Sequence, residues 1–194
     1  GCEDNLYMIQ IDTVELIQIQ LPLIAPFETS FGVAHHKECI LLRATASDGA
    51  VGWGEFAGDG PGYSYETLET AWHILRDYLI PLLKREPIAA PTDAPARFKW
   101  VRGHNFAKSA LESVLWDIAA QRAGQSIRQY LASLTGYALR ERLSVGVSIG
   151  VQPSTQALVE RIHKYREDGY ARIKIKITPG RDLQDARGAR AAIP

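Results

Sequence analysis

Apolar and polar residues alternate from Ile9 to Leu21, through Ile9, Ile11, Val14, Leu16, Ile17 and Ile19, with one slip of phase. A period of two reads as a strand, and the slip reads as a bulge. Pro22 and Pro26 are expected to end it, because proline donates nothing to a ladder. Residues 25–36 hold Phe27 and Phe31 among small and polar neighbours, which predicts a long loop of the kind that forms lids or binding loops. Glu38 to Ala46 is a second strand, Asp48-Gly49 a turn signal, and Ala50 to Phe56 the return strand. A three-stranded antiparallel sheet is therefore expected, followed by a glycine-rich loop over residues 58–62.

The period then lengthens. Leu68, Ala71, Trp72, Leu75, Leu79 and Leu82 recur near 3.6 and predict a helix from Tyr65 to Leu83, which Pro81 bends or ends. Residues 86–96, with Pro87, Pro91 and Pro95, read as a connector. Asn105 to Ala123 gives the clearest helix: Phe106, Ala110, Val114 and Ile118 form one row, and Leu111, Leu115 and Ala119 the next. Gly124 is its natural C-terminal cap. A shorter helix covers Ile127 to Leu134, ended by Gly136.

Past Leu143 the grammar changes. Leu143 to Ile149 is a strand. A helix capped by Ser154 or Thr155 runs to Asp168, with Leu158, Ile162 and Tyr165 on one face and Gly169 closing it. Ala171 to Ile177 is a strand, Pro179-Gly180 a turn, and Leu183 to Ala192 a helix. The order β-α-β-α predicts two parallel neighbouring strands with a right-handed crossover. The fold class expected is an α+β capping domain over residues 8–140, then the first two β/α units of a barrel over 141–194. Residues 1–7 read as an added leader before Met8.

Composition narrows the function classes. Hydrophobic residues make up 46% of the 194, enough for a real core. Lysine plus arginine number 22, as do aspartate plus glutamate, so no basic excess suggests nucleic acid or an anionic membrane as a partner. No apolar run approaches the ~18 residues of a membrane span. The polar, acidic start carries no secretory signal pattern, and the cytoplasm is the compartment expected. Cys2, in the leader, and Cys39, in an apolar run, do not suggest a disulfide framework.

The stretch Arg172-Ile-Lys-Ile-Lys-Ile177 carries the chemistry. Alternate strand residues share a face. Ile173, Ile175 and Ile177 therefore form one face, and Arg172, Lys174 and Lys176 the other. An amphipathic strand with a solvated lysine face is the plain reading. The β-α-β-α context supports a second one, since parallel strands are covered on both faces and the lysines would then point into a barrel interior. Lysines at i and i+2 stand ~6–7 Å apart. Burial and mutual repulsion would lower both pKa values and make a usable general base. Lys176 lies nearer the C-terminal end of the strand, where barrel enzymes place catalytic groups, with Lys174 as its electrostatic helper.

Other constellations carry less. Gly52-Trp-Gly-Glu-Phe-Ala57 matches a loose dinucleotide pattern, but Gly58, Gly60, Pro61 and Gly62 leave no helix to receive a pyrophosphate. His35 and His36 point apart on an extended segment, which suits a solvated or lid role better than zinc. Arg97, Lys99, Arg102 and Lys108, interleaved with Trp100 and Phe106, form a weak nucleic-acid pattern in a neutral chain. His73, His104 and His163 stand isolated in the sequence, with surface or core packing the default. Glu55 and Asp59 could face a substrate, although loop carboxylates are usually just solvated.

The chain resembles the enolase superfamily, in its o-succinylbenzoate synthase / N-acylamino acid racemase branch within the muconate-lactonizing-enzyme subgroup. The matching stretches are Leu21-Pro-Leu-Ile-Ala-Pro-Phe-Glu-Thr-Ser-Phe-Gly32, Gly52-Trp-Gly-Glu55, Ala107-Lys-Ser-Ala-Leu-Glu112, Gly146-Val-Ser-Ile-Gly150 and Gly169-Tyr-Ala-Arg-Ile-Lys-Ile-Lys-Ile-Thr-Pro-Gly180. The resemblance implies a capping domain whose loops, near 25–36 and 56–64, close over a small carboxylate substrate. It implies that Lys176 is the acid/base with Lys174 as partner, that Phe27, Ser30, Phe31 and Gly32 belong to the lid, and that Ser148 ends the first barrel strand. It also implies a divalent metal, magnesium, stabilising an enediolate, and a place in menaquinone biosynthesis.

The departure from the family pattern matters as much. The family's metal ligands sit on the third to fifth barrel strands, and its opposing lysine comes later still. A complete barrel takes ~250 residues, whereas 51 follow Leu143. No metal ligand is assigned within the chain; the ligands are expected beyond residue 194. The sequence reads as the N-terminal half of an enzyme: a truncation, a proteolytic fragment or one part of a split assembly. Alone it should lack turnover, and its open barrel edge favours a homo-oligomer or association with the missing barrel half. A non-catalytic assembly module and a dipeptide epimerase of the same superfamily are the alternatives.

Overall fold

The computed structural model describes residues 8–58, 60 and 62–193. Residues 1–7, Asp59, Pro61 and Pro194 lie outside that set, and with them the expected leader, Cys2 and one candidate loop carboxylate. Two compact units emerge: residues 8–20 with 38–139, and residues 21–37 with 140–193.

Three strands, β1 (Ile11–Thr29), β2 (Gly32–Ala46) and β3 (Val51–Phe56), form a sheet in that order. β2 and β3 pair antiparallel from Ile40↔Phe56 to Thr45↔Val51. The expected loop over residues 25–36 is not a loop. β1 continues through Pro22 and Pro26, and only Ser30 and Phe31 turn the chain into β2. The reason is position: β1 is an edge strand, where a missing amide costs no ladder bond. Both prolines share their parity with Glu28, whose carbonyl oxygen is taken by the Val151 amide at 2.9 Å. Thr29 braces the turn, its Oγ1 accepting from the Phe31 amide at 3.2 Å.

In the first unit the core lies between this sheet and α4 (Asn105–Arg122), whose Ala107, Ala110, Leu111, Val114, Leu115 and Ile118 are buried. The Gly52-x-Gly54 pair has its explanation here. A Cβ on Gly52 would stand 2.5 Å from the Val114 carbonyl oxygen, and one on Gly54 would overlap that of Ala110. These glycines let the helix backbone lie on the strand. The Trp53 amide, between them, donates to Asp117 at 2.9 Å.

The helix expected over Tyr65–Leu83 forms as α1 (Leu68–Ile74), a π turn (Leu75–Leu79) and α2 (Ile80–Lys84). The helical run therefore continues past Pro81. The π turn, in which the Ile80 amide reaches the Leu75 carbonyl, shifts the bonding pattern just before the residue that has no amide to give. Thr67 and Thr70 form the capping box. The connector holds a 3₁₀ turn (Pro91–Asp93) and α3 (Ala94–Arg97). A short α5 (Ile127–Thr135) follows α4 and ends at Gly136, in the left-handed region at φ 71°.

In the second unit β4 (Gly146–Ile149) and β5 (Arg172–Ile175) pair in parallel, as the sequence order requires. α6 (Thr155–Glu167) and α7 (Asp182–Ala192) follow them in turn. Ile149, Leu158 and Ile162 are its buried core, with Tyr165, Ile173, Ile175 and Ala189 packed against them. Cys39, on β2, is buried. Among the described residues no helix is long and apolar enough to cross a membrane.

Candidate active site

The alternation along β5 sorts its side chains as the sequence predicts. Ile173 and Ile175 pack on the core beneath α6 and α7, so Lys174 points to the opposite face. Ile177, past the strand end, is exposed. The Lys176 amide donates to the Ile149 carbonyl at 2.9 Å, which carries the parallel pairing one step beyond β5. Ser148 is the register partner of Lys174 and lies beside it on the same face. Lys174 and Ser148 are exposed and Lys176 is half-buried, so within this chain the lysine face is open rather than secluded.

Gly150 follows on that face, two residues after Ser148. Its missing side chain leaves room for the hairpin: a Cβ there would lie 2.9 Å from the Glu28 carbonyl oxygen and 3.5 Å from Cδ2 of Phe27. The end of the β1–β2 hairpin thus rests on the end of β4, beside the lysine strand. Of the expected lid residues, Phe27 is half-buried at this contact. Ser30, Phe31 and Gly32 form the exposed tip, with Phe31 at 83% exposure.

Two residues past the ends of β4 and β5 escape sequence reasoning. Gly150 is one; its signal was a glycine directly after a predicted strand. Arg181 is the other, with Nη2 donating to the Gln152 carbonyl at 2.7 Å and Nη1 to that of Pro153 at 3.1 Å. A lone arginine after a Pro-Gly turn gives no such signal.

His35 and His36 are exposed on β2, and Glu55 is exposed on β3. His73 is not isolated, since its Nδ1 lies 2.7 Å from Asp77. Arg76 donates to the same carboxylate at 2.6 and 2.7 Å, and this contact, with the nearby His73, holds Asp77 down to about 2. Two cations of the interleaved basic run are engaged internally: Arg97 bonds the Glu86 and Pro87 carbonyls, and Lys108 bonds that of Val101. Among the described residues no group of three histidines, cysteines or carboxylates is placed to hold a metal ion. The described residues thus assemble no ligand set for the metal that the resemblance implies.

Residues 11–132 match the family model of the mandelate racemase / muconate lactonizing enzyme N-terminal domain. An o-succinylbenzoate synthase from Geobacillus kaustophilus is 43% identical over 187 residues, 96% of this chain and 48% of that protein. An N-succinylamino acid racemase from Amycolatopsis is 40% identical over 183 residues, 93% of this chain and 48% of that protein. A solved enolase-superfamily member from Listeria innocua superposes with a TM-score of 0.87 at 34% identity, covering 96% of this chain and 49% of that one. The chain spans about half the length of these relatives. With its three-stranded capping sheet, its helices and the first two β/α units of an incomplete barrel, the chain belongs to the mandelate racemase / muconate lactonizing enzyme family of the enolase superfamily.

Proposed function

We propose that this chain carries the N-terminal share of an active site that abstracts a proton α to a carboxylate and forms an enediolate. The two reactions in view are the dehydration that yields o-succinylbenzoate and the racemisation of N-acylamino acids. In the first, the α-proton goes to a base and the β-hydroxyl leaves as water. In the second, the proton is removed from one face of the carbon and replaced on the other.

Lys176 is the acid/base and Lys174 its electrostatic partner. Ser148 lines the floor beside them, and Phe27, Ser30, Phe31 and Gly32 close over the substrate. The observation that supports this reading is the sorting of β5, with Ile173 and Ile175 packed on the helices and Lys174 on the opposite face beside Ser148. Two relatives that match over nearly the whole chain bear the names of these two activities. Further strands would seclude the lysine face, with a boundary between cap and barrel near residue 140. Magnesium would be held by residues outside this chain, so the chain's own part is the proton and the enclosure of the substrate.

Proton exchange tests the reading. The full-length protein, in deuterated water with magnesium and an N-succinylamino acid, should incorporate deuterium at the α-carbon. Lys176→Ala should lose that exchange by about a hundredfold or more, and the isolated chain should show none. Exchange by Lys176→Ala at the unaltered rate would refute the role of the lysine. Turnover by the isolated chain would refute the sharing of the site.

A further inference from the structure

We propose that Arg181 is a positioning residue whose guanidinium locks the segment after Lys176 onto the loop that seats the hairpin. The inference rests on the reading of Lys176 as the acid/base.

Arg181 lies five residues past Lys176, at the start of α7. It reaches back across the C-terminal ends of the two strands, donating to the Gln152 and Pro153 carbonyls at 2.7 and 3.1 Å. Nη2 also meets the Asp185 carboxylate at 3.1 Å. Asp185 is 2% exposed, and its other oxygen accepts from the Thr155 hydroxyl at 2.6 Å. A buried carboxylate needs a cation and donors to offset its lost hydration, so the arginine is held from behind while its fork faces the loop. A planar fork can hold two carbonyls at once, which a lysine head on a flexible stem cannot do with the same geometry.

What the fork holds is the seat of the hairpin. Gln152 continues directly from Gly150 and Val151, and its side-chain amide bonds the Gly150 carbonyl at 3.0 Å. Gly150 packs on Glu28, and the Val151 amide bonds its carbonyl at 2.9 Å. On the other side the Arg181 amide reaches the Thr178 carbonyl at 3.3 Å, in the turn that leaves Lys176. A contiguous path thus runs from Phe27 and Glu28, through residues 150–153, to Arg181 and back to Lys176. Packing of α6 on α7 does not require it. Leu158, Ile162 and Ala189 supply that contact, and Gly188 brings the helices close enough that a Cβ there would lie 2.5 Å from Cγ2 of Thr155.

The test uses the full-length protein with Arg181→Lys, Arg181→Ala and Asp185→Asn. Both arginine variants should lower kcat by about tenfold, with KM changed less than about threefold, because the base is displaced rather than the substrate released. Ethylguanidinium added to Arg181→Ala should recover several-fold of the lost kcat and leave the unaltered protein unaffected. The Val151 and Lys176 amides should exchange faster in both arginine variants, while those of α4 keep their protection. Asp185→Asn should fall between, and with Arg181→Lys it carries the test if Arg181→Ala fails to fold. Unaltered kcat in the arginine variants, a loss that ethylguanidinium does not touch, or equal loss of protection in α4 would each overturn the proposal. Failure of the unaltered protein to exchange the α-proton would instead sink the reading of Lys176, and the amide arm would still decide whether Arg181 locks the loop.

Discussion

Gly150 and Glu28 meet so closely that no side chain fits between them: a Cβ on Gly150 would stand 2.9 Å from the Glu28 carbonyl oxygen and 3.0 Å from its amide nitrogen. Backbone faces backbone here, so neither side can yield by turning a rotamer. Gly150→Ala should lift the hairpin end from β4 and break the bond between Val151 and Glu28, at a cost of about 1–3 kcal/mol in the second unit. Urea unfolding and amide exchange at Val151 check this. A protected Val151 amide in a variant of unchanged stability would refute it.

The same reasoning applies more strongly to Gly54, whose added Cβ would overlap the Ala110 carbonyl oxygen in the middle of α4. Gly54→Ala should destabilise the first unit by about 2 kcal/mol or more, since the helix must move off the sheet and open its packing. Gly62 has nothing within 4 Å of the equivalent position. Gly62→Ala is the control, expected within about 0.5 kcal/mol of the unaltered protein in chemical denaturation.

Glu66 is 1% exposed and caps α4 from a distance in sequence, its two oxygens accepting from the Phe106 and Ala107 amides at 2.9 and 3.0 Å. Those are among the amides a helix N-terminus leaves unpaired, and a carboxylate there also suits the helix dipole. Glu66→Gln keeps the shape but turns an amide N–H toward one of the donors, and should cost about 1–3 kcal/mol. Thermal unfolding measures it, and an unchanged Tm would show that the cap contributes nothing.

Asp77 is held below the ordinary carboxylate value of 3.8, at about 2, by the Arg76 guanidinium foremost and by His73. A carboxylate whose folded value is depressed contributes stability that is complete above pH 4 and drains away as the pH falls toward 2. Asp77→Asn should therefore flatten the pH dependence of the urea midpoint between about pH 4 and 2. The pair is solvent-exposed, so molar salt should shrink the difference. Equal slopes for both proteins at low salt would contradict this account.

Much of the fold was readable along the chain because its signals are local. The period of 3.6 through α4, the Asp48-Gly49 turn and the β-α-β-α order each follow from neighbours within a few residues. The two misreadings share a cause. Pro22 and Pro26 read as strand ends, and Pro81 as the bend or end of a helix, yet proline's missing amide ends an element only where something waits to accept from it. An edge strand and a π turn remove that demand, and both are features of the surrounding structure.

For the candidate site, the sequence by itself determined that Lys174 lies opposite Ile173 and Ile175, since alternation is a property of any strand. It determined the family as well, through stretches spread along the chain. Tertiary structure alone decided that Phe27 and Glu28, more than a hundred residues earlier, rest on Gly150, and that Arg181 grips the loop between. Backbone-to-backbone contact at a glycine and hydrogen bonds to main-chain carbonyls depend on where the chain has been carried, and they leave no periodic trace in the residues that make them.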